Sequence, residues 1–284
     1  MTEQQATNAD QAALWNGPGG RAWVDAQAAL DQLFKPFETL IADAVRRASV
    51  RRVLDVGCGT GSTTLAVTRA LGAGGSAFGI DISAPMLAVA RERAEREGLP
   101  ITFACADAQT HVFEPASIDM IVSRFGVMFF DDPVRAFANL RHAMRDNGAL
   151  FCIAWRSPAE NPFMTTAERT AAPLLPLPPR LPDAPGQFAF ADQQRVQSIL
   201  EAAGWTDVDI QPVNVTCTMP QASLATYFTR LGPVGIALQG ADEATRAKVL
   251  DALRVAFQPF VHGDDAQFTA ACWTISARAQ QASA

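Results

Sequence analysis

Short, nearly continuous apolar runs recur along the first 155 positions. Between them lie segments whose apolar residues return every three to four places. Val53–Val56, Ala77–Ile80, Ile101–Ala106, Ile118–Val122 and Ala149–Trp155 are the runs, and they have the length and density of strands buried on both faces. Leu65–Leu71, Met86–Glu97 and Val134–Met144 are the helical segments. Asp131-Asp132-Pro133 starts the last of them, and Asp146-Asn147-Gly148 is expected to turn the chain after it. Ahead of the first run, Phe34, Phe37, Leu40, Ile41, Ala44 and Val45 mark an amphipathic helix. Strand and helix in this alternation predict a parallel, doubly wound α/β sheet. Such sheets bind ligands beyond the carboxyl ends of their strands.

After residue 155 the alternation breaks. Eight prolines, from Pro158 to Pro185 and including Pro182, exclude one long helix over 156–190. Phe190–Ala203 is helical and Asp207–Cys217 alternates as a sixth strand. A helical insertion follows over roughly 220–262, and Phe268–Ala277 is a last strand. Six segments result: an N-terminal helical cover (1–48), the core (49–155), a lid insertion (156–190), the core continued (191–217), a helical lid insertion (218–264), and the last strand with a tail (265–284). Both insertions leave the sheet on its ligand side, so they and the N-terminal segment are expected to meet over one pocket. In that segment Trp15 and Trp23 flank Gly17-Pro18-Gly19-Gly20, which reads as a turn.

Composition narrows the classes. A net charge of −6 and a pI near 5.1 argue against a nucleic-acid partner, which needs clustered Lys and Arg. No apolar run has transmembrane length and no signal-peptide pattern opens the chain, so a soluble, cytoplasmic protein without a membrane span is expected. The five cysteines are widely spaced and form no C-x-x-C pair, so no disulfide framework or metal site is expected. All but Cys58 fall in strand-like runs and read as small buried hydrophobes.

The candidate chemistry centres on Val53-Leu54-Asp55-Val56-Gly57-Cys58-Gly59-Thr60-Gly61, which Ser62-Thr63-Thr64-Leu65 follows as a helix start. Glycine lets a ligand approach the backbone closely, and a helix start offers free N–H groups. A small polar or anionic ligand is expected here. A dinucleotide fingerprint reads G-x-G-x-x-G, but here the third glycine comes one place early, at Gly61. Asp81 ends the second strand about twenty residues on, where α/β nucleotide sites place the acid that accepts from the ribose hydroxyls. Ser83, with Pro85 in the first turn, is the better cap for the next helix.

Asp55–Gly61 resembles the first motif of class I S-adenosylmethionine-dependent methyltransferases, of the small-molecule, ubiquinone/menaquinone-biosynthesis-like type. The resemblance covers about residues 50–155, the helix–strand unit near 190–217 and the terminal strand. It implies a Rossmann-like sheet of seven strands, the last antiparallel, with a helical and irregular lid. It also implies S-adenosylmethionine as methyl donor and no metal. The cofactor residues it carries over are Asp55, Gly57, Cys58, Gly59 and Gly61 in the loop, Asp81, Ile82 against the adenine face, and Asp107 toward the adenine amino group. Ala108 beside Asp107, Ser123 at the end of the fourth strand, and Trp23 as a wall from the N-terminal segment complete the set.

The implied reaction is in-line methyl transfer to an O, N, C or S atom of a small, partly apolar acceptor. Arg124, Phe125, Met128, Trp155, Phe163 and Phe228 are the candidate acceptor residues, with Arg156 and Arg230 also available to meet an anionic group. His262 and Tyr227, both on the expected lid side, are the candidate bases; His111 reads as packing near the adenine end. The acceptor and the oligomeric state are not legible. Two alternatives stand beside this reading: a protein on the same fold that binds the cofactor without turnover, and an NAD-dependent oxidoreductase.

Overall fold

A computed structural model describes residues 8–180 and 184–280; Pro182 lies outside them. Four helices precede the sheet: α1 (Ala9–Asn16), α2 (Pro18–Asp25), α3 (Gln27–Leu33) and α4 (Lys35–Ala48). The core follows as β1 (Arg52–Val56), α5 (Ser62–Leu71), β2 (Ser76–Asp81), α6 (Ala84–Arg96), β3 (Ile101–Cys105), β4 (Ile118–Arg124), α7 (Pro133–Ala143) and β5 (Met144–Trp155). The remainder is α8 (Pro162–Ala171), α9 (Gln193–Ala202), β6 (Thr206–Pro220), α10 (Leu224–Arg230), α11 (Gly232–Gln239), α12 (Glu243–Phe257), β7 (Val261–His262) and β8 (Asp265–Ala279).

One mixed sheet runs in the order β3-β2-β1-β4-β5-β8-β6. The first five strands pair in parallel and β8 lies antiparallel between β5 and β6. This is the seven-stranded Rossmann-like sheet that the alternation and the resemblance implied. The two-residue β7, which no sequence run announced, pairs with β8 as an addition. Strand order reverses between β1 and β4, so the crevice for a ligand opens at their carboxyl ends. Leu54, Val67, Ile121 and Ile153 are fully buried in the core, and each such side chain contributes about 1.5–3 kcal/mol through removal from water. Helix starts follow their local chemistry. Ser83 accepts from the Met86 N–H at the start of α6, and Asp132 from the Arg135 N–H at the start of α7.

Three sequence expectations change. Gly17 alone separates α1 from α2, and Pro18 opens α2, a position that suits proline because its missing N–H has no helical partner there. Residues 146–148 are drawn into β5, with Asn147 at φ 58°. Cys105 is exposed on the edge strand β3, whereas Cys58, Cys152, Cys217 and Cys272 are buried.

The lid departs furthest from expectation. β6 and β8 continue as a hairpin past Trp155, the last residue of β5 that pairs with β8. That extension gives the insertions a floor of their own. Phe163 of α8 stacks on Phe268 of β8, with ring centroids 3.9 Å apart and planes 7° apart, and Phe257 and Phe260 pack edge-on against it. The lid aromatics thus bury one another.

Candidate functional site

A cleft with about 880 Å³ of unfilled space opens over the carboxyl ends of the parallel strands. Its walls come from the turns after β1 (Gly57–Thr60), β2 (Asp81, Ile82), β3 (Ala106–Ala108) and β4 (Arg124–Gly126, Phe129, Phe130), and from Asn8, Gln11, Trp15 and Trp23.

The turn after β1 is held from several sides. Gly57 passes Gly126 so closely that a Cβ there would sit 2.6 Å from the Gly126 Cα. Gly59, at φ 53°, faces open space, with only the Met86 sulfur at 3.8 Å from where a Cβ would be. It is the point where a ligand can meet the backbone. Arg93 donates to the Thr60 carbonyl at 2.8 Å and to Asp31 at 2.6 Å, tying the turn to α3. Four of the turn's amides are already engaged: Gly57 and Cys58 donate to the Ile80 carbonyl, Gly59 to Asp81, and Gly61 to the Cys58 carbonyl. A pyrophosphate needs such amides free, so the turn suits a ligand without a phosphate.

Asp81 is the acid of the cleft. One carboxylate oxygen accepts from the Gly59 N–H at 2.7 Å and the other from the Ser83 N–H at 2.8 Å. Burial pushes its carboxyl above the usual range, against these donors. Each oxygen has a further lone pair for a hydroxyl on the cleft side. Asp107 also stands on the wall, with one oxygen turned back to the Gln109 N–H at 2.9 Å. Ile82, Ala108, Gly57, Cys58, Gly59 and Trp23 line the same cleft.

Three residues expected at the cofactor lie behind it. Asp55 is buried below the turn, where one oxygen accepts from the Thr64 hydroxyl at 2.7 Å and the other has no partner; burial pushes its carboxyl up to about 7. Gly61, at φ 85°, caps α5 and abuts Ala90. Ser123 donates to the Val56 carbonyl at 2.7 Å and accepts from the Gly126 N–H at 3.2 Å, bracing two turns.

On the acceptor side the cleft keeps Arg124 and Phe125. Arg124 is the one basic residue of the wall among the described residues. Its side chain is only 10% exposed, its Nη1 is 3.7 Å from Glu38 and has no hydrogen-bond partner, and its guanidinium lies 5.6 Å from the centre of the Phe34 ring. Phe125 sits at φ 65°, strained for a bulky residue. An N–H bond to the Ile153 carbonyl at 3.0 Å and stacking on Trp155 at 4.7 Å hold it there.

The other acceptor candidates are elsewhere. Met128 and Trp155 are core residues, with the Trp155 N–H directed at the Met128 sulfur at 3.5 Å. Phe163 and Phe228 belong to the lid core, the latter stacked on Phe257. Tyr227 is half-buried with its hydroxyl 3.1 Å from the Met164 sulfur, and desolvation raises its phenol strongly. His262 is exposed on β7, and His111 packs against Phe113. Arg156 pairs with Glu160 and covers Trp273. No residue of the two insertions reaches the cleft wall among the described residues.

Sequence reasoning missed part of the wall. Trp15 meets Phe129 edge-on at 5.1 Å and Trp23 at 6.2 Å, and Phe130 and Met86 close the other side. The Trp15 carbonyl accepts from Ser83 at 2.6 Å, and Asn16 bridges the Ile82 carbonyl and the Ala84 N–H at 2.9 Å each. These bonds clamp α1 over the turn after β2. The nearness of Trp15 to the Gly/Pro break was the available signal.

A sheet whose parallel strands reverse order, a glycine turn with its amides engaged and an acid ending β2 give a Rossmann-like fold with a cleft at the carboxyl ends of its strands. Comparison with known proteins agrees. Residues 53–148 match the family model described as a methyltransferase domain. Aklanonic acid methyltransferase DauC of Streptomyces sp. (strain C5) is 32% identical over 128 residues, 45% of this chain and 57% of that protein. The demethylmenaquinone methyltransferase of Thermus thermophilus is 31% identical over 121 residues, 43% of this chain and 54% of that protein. The chain thus aligns with little more than half the length of these relatives. The crystal structure of the YcgJ protein of Bacillus subtilis superposes with a TM-score of 0.55 at 18% identity, covering 85% of this chain and 98% of that one, a likeness of fold. The likeness to methyltransferases is carried by residues 53–148, the methyltransferase domain that the family model describes.

Proposed function

We propose that this protein transfers a methyl group from S-adenosylmethionine to a small, planar, partly apolar acceptor that enters as an anion. The observation that carries the reading is the pairing, in one cleft, of a ribose-type acid, Asp81, with an aromatic wall that holds a single buried cation, Arg124.

The residues present fit the methyl donor. Asp81 has lone pairs for two hydroxyls, Gly59 leaves room at the backbone, and Ile82, Ala108 and Phe130 offer apolar contact for a base with Asp107 at its edge. When bound, the donor supplies an activated methyl on a sulfonium. The chain's part is to position and to exclude water. Trp15, Trp23, Phe125 and Phe129 form the apolar side of the cleft, and a cationic sulfonium is well matched to aromatic faces.

The titratable residues on the described wall are Cys58, Asp81, Asp107 and Arg124. Cys58 has its thiol raised well above the ordinary value by burial, and neither acid is free of backbone donors. None is placed as a general base toward the Arg124 side. The acceptor atom therefore arrives nucleophilic, as an acidic phenol, a stabilised enolate or a thiol does at neutral pH. Arg124, whose Nη1 makes no hydrogen bond although it is ion-paired with Glu38 at 3.7 Å, attracts that charge.

The test is a transfer assay with labelled donor and acidic phenols, 1,3-dicarbonyl compounds, thiols and neutral amines. Methylation of the acidic acceptors, with a pH–rate profile that follows each acceptor's own pKa, supports the reading. Donor-product binding with no transfer to any acceptor would favour a non-catalytic cofactor-binding protein, a reading that the lack of a base keeps in view.

A further inference from the structure

α2 divides two cavities. Trp23 lines the cleft described above, while Pro18, Arg21, Ala22 and Asp25 line a second, open cavity with about 1110 Å³ of unfilled space. Those four occupy the i, i+3, i+4, i+7 positions of one helical stripe. The opposite walls come from α10, α11 and α12, which bring Arg230, Arg246 and an apolar floor of Leu238 and Leu250. The two cavities share no wall residue.

The charge balance of this second cavity runs against that of the chain. The protein carries a net charge of −6, yet this cavity is lined by three arginines, Arg21, Arg230 and Arg246, against one carboxylate, Asp25. Asp25 is 3.6 Å from Arg230. Arg21 and Arg246 have no acidic partner among the described residues. One Arg246 nitrogen donates to the Leu238 carbonyl at 2.7 Å, which fixes the group at the wall and leaves its other N–H groups for a ligand. A concave site focuses the field of like charges more than a flat surface does. The planar fork of arginine matches carboxylate and phosphate oxygens.

We infer that this cavity is a second ligand site, for a small organic anion whose carboxylate or phosphate head meets Arg21 and Arg246 and whose apolar body rests on Leu238 and Leu250. It does not depend on methyl transfer, because no residue of the donor cleft takes part.

Titration calorimetry on the full chain tests it, with benzoate and benzyl phosphate as probes and benzyl alcohol as the neutral control. One or both anions should bind with a single-site isotherm, and the alcohol should not; the stronger anion identifies the head group. Arg21→Ala and Arg246→Ala should each weaken binding about tenfold, the scale of a lost charge-assisted bond. Arg21 is exposed, so its variant should keep the wild-type melting temperature and remain a fair test if Arg246→Ala disturbs α11. Saturating S-adenosylhomocysteine should leave the anion bound. Absence of binding by both anions, equal affinity in wild type and Arg21→Ala, or displacement by S-adenosylhomocysteine would each overturn the assignment, the last by placing the anion in the donor cleft.

Discussion

Asp81 and Asp55 are both buried carboxylates at strand ends, and their surroundings give them different work. Asp81 faces the cleft with an opposing backbone donor on each oxygen. Asp81→Ala should weaken S-adenosylhomocysteine binding by on the order of 1–3 kcal/mol, the cost of bonds to a charged acceptor left unmade. Calorimetry reads it, and circular dichroism should show the fold intact; unchanged affinity would remove Asp81 from the site. Asp55 is pushed from 3.8 to about 7 by burial. A carboxyl that holds its proton more tightly when folded stabilises most at low pH. That contribution is full below the unfolded value, falls as pH rises through the interval and is gone above about 7. The shift corresponds to on the order of 4 kcal/mol as an upper figure. Melting temperature should therefore fall from pH 5 to pH 8, and Asp55→Asn should flatten the slope. The slope should not vanish, because Asp81 is raised in the same sense. Equal slopes in the two proteins would contradict this. At this scale the sequence could mark both acids by their spacing from the glycines. It could not tell which one faces the ligand, since that is decided by the turn that carries Gly59 toward Asp81 and leaves Asp55 beneath it.

The elements follow local chemistry wherever that chemistry is self-sufficient. Apolar runs became β1 to β5, and Ser83, Asp132 and Asp192 capped their helices. The N-terminal cover was harder to read, because a Trp-rich segment does not state its docking surface. α1 is held by Asn16 on both sides of the turn after β2. Asn16→Ala should loosen that clamp at a cost of about 1–2 kcal/mol for two bonds. The variant should release S-adenosylhomocysteine faster and be cut by protease near Gly17 more readily than wild type. Stopped-flow fluorescence of Trp15 and Trp23 follows release, and identical rates would show that α1 is no gate. The lid shows the opposite limit. Its apolar pattern was legible, but Phe163, Phe257 and Phe268 satisfy one another on the β6–β8 extension. Composition alone cannot distinguish a pocket lining from such a cluster, because both bury the same surface.

For the whole molecule, the sheet order and the antiparallel β8 agree with the fold that the first motif implied. Topology placed the cleft at the carboxyl ends of the parallel strands. It did not reveal that, among the described residues, the N-terminal helices line the cleft and the two insertions pack on the β6–β8 extension instead. The same geometry keeps two candidate bases off the cleft wall. Tyr227→Phe loses only the hydroxyl's contact with the Met164 sulfur, and His262 is on an exposed edge. Both Tyr227→Phe and His262→Ala should retain wild-type turnover on any acceptor that is methylated. A loss of about a hundredfold or more, as removal of a general base gives, would bring the lid back into the chemistry. The methyl-donor reading and the dinucleotide alternative predict different ligands for this cleft. Parallel calorimetric titrations of the purified full chain with S-adenosylhomocysteine and with NADH are the most direct measurement. One S-adenosylhomocysteine should bind per chain, weakened by Asp81→Ala, with no saturable heat from NADH; saturable NADH binding without a response to S-adenosylhomocysteine would contradict the methyl-donor site.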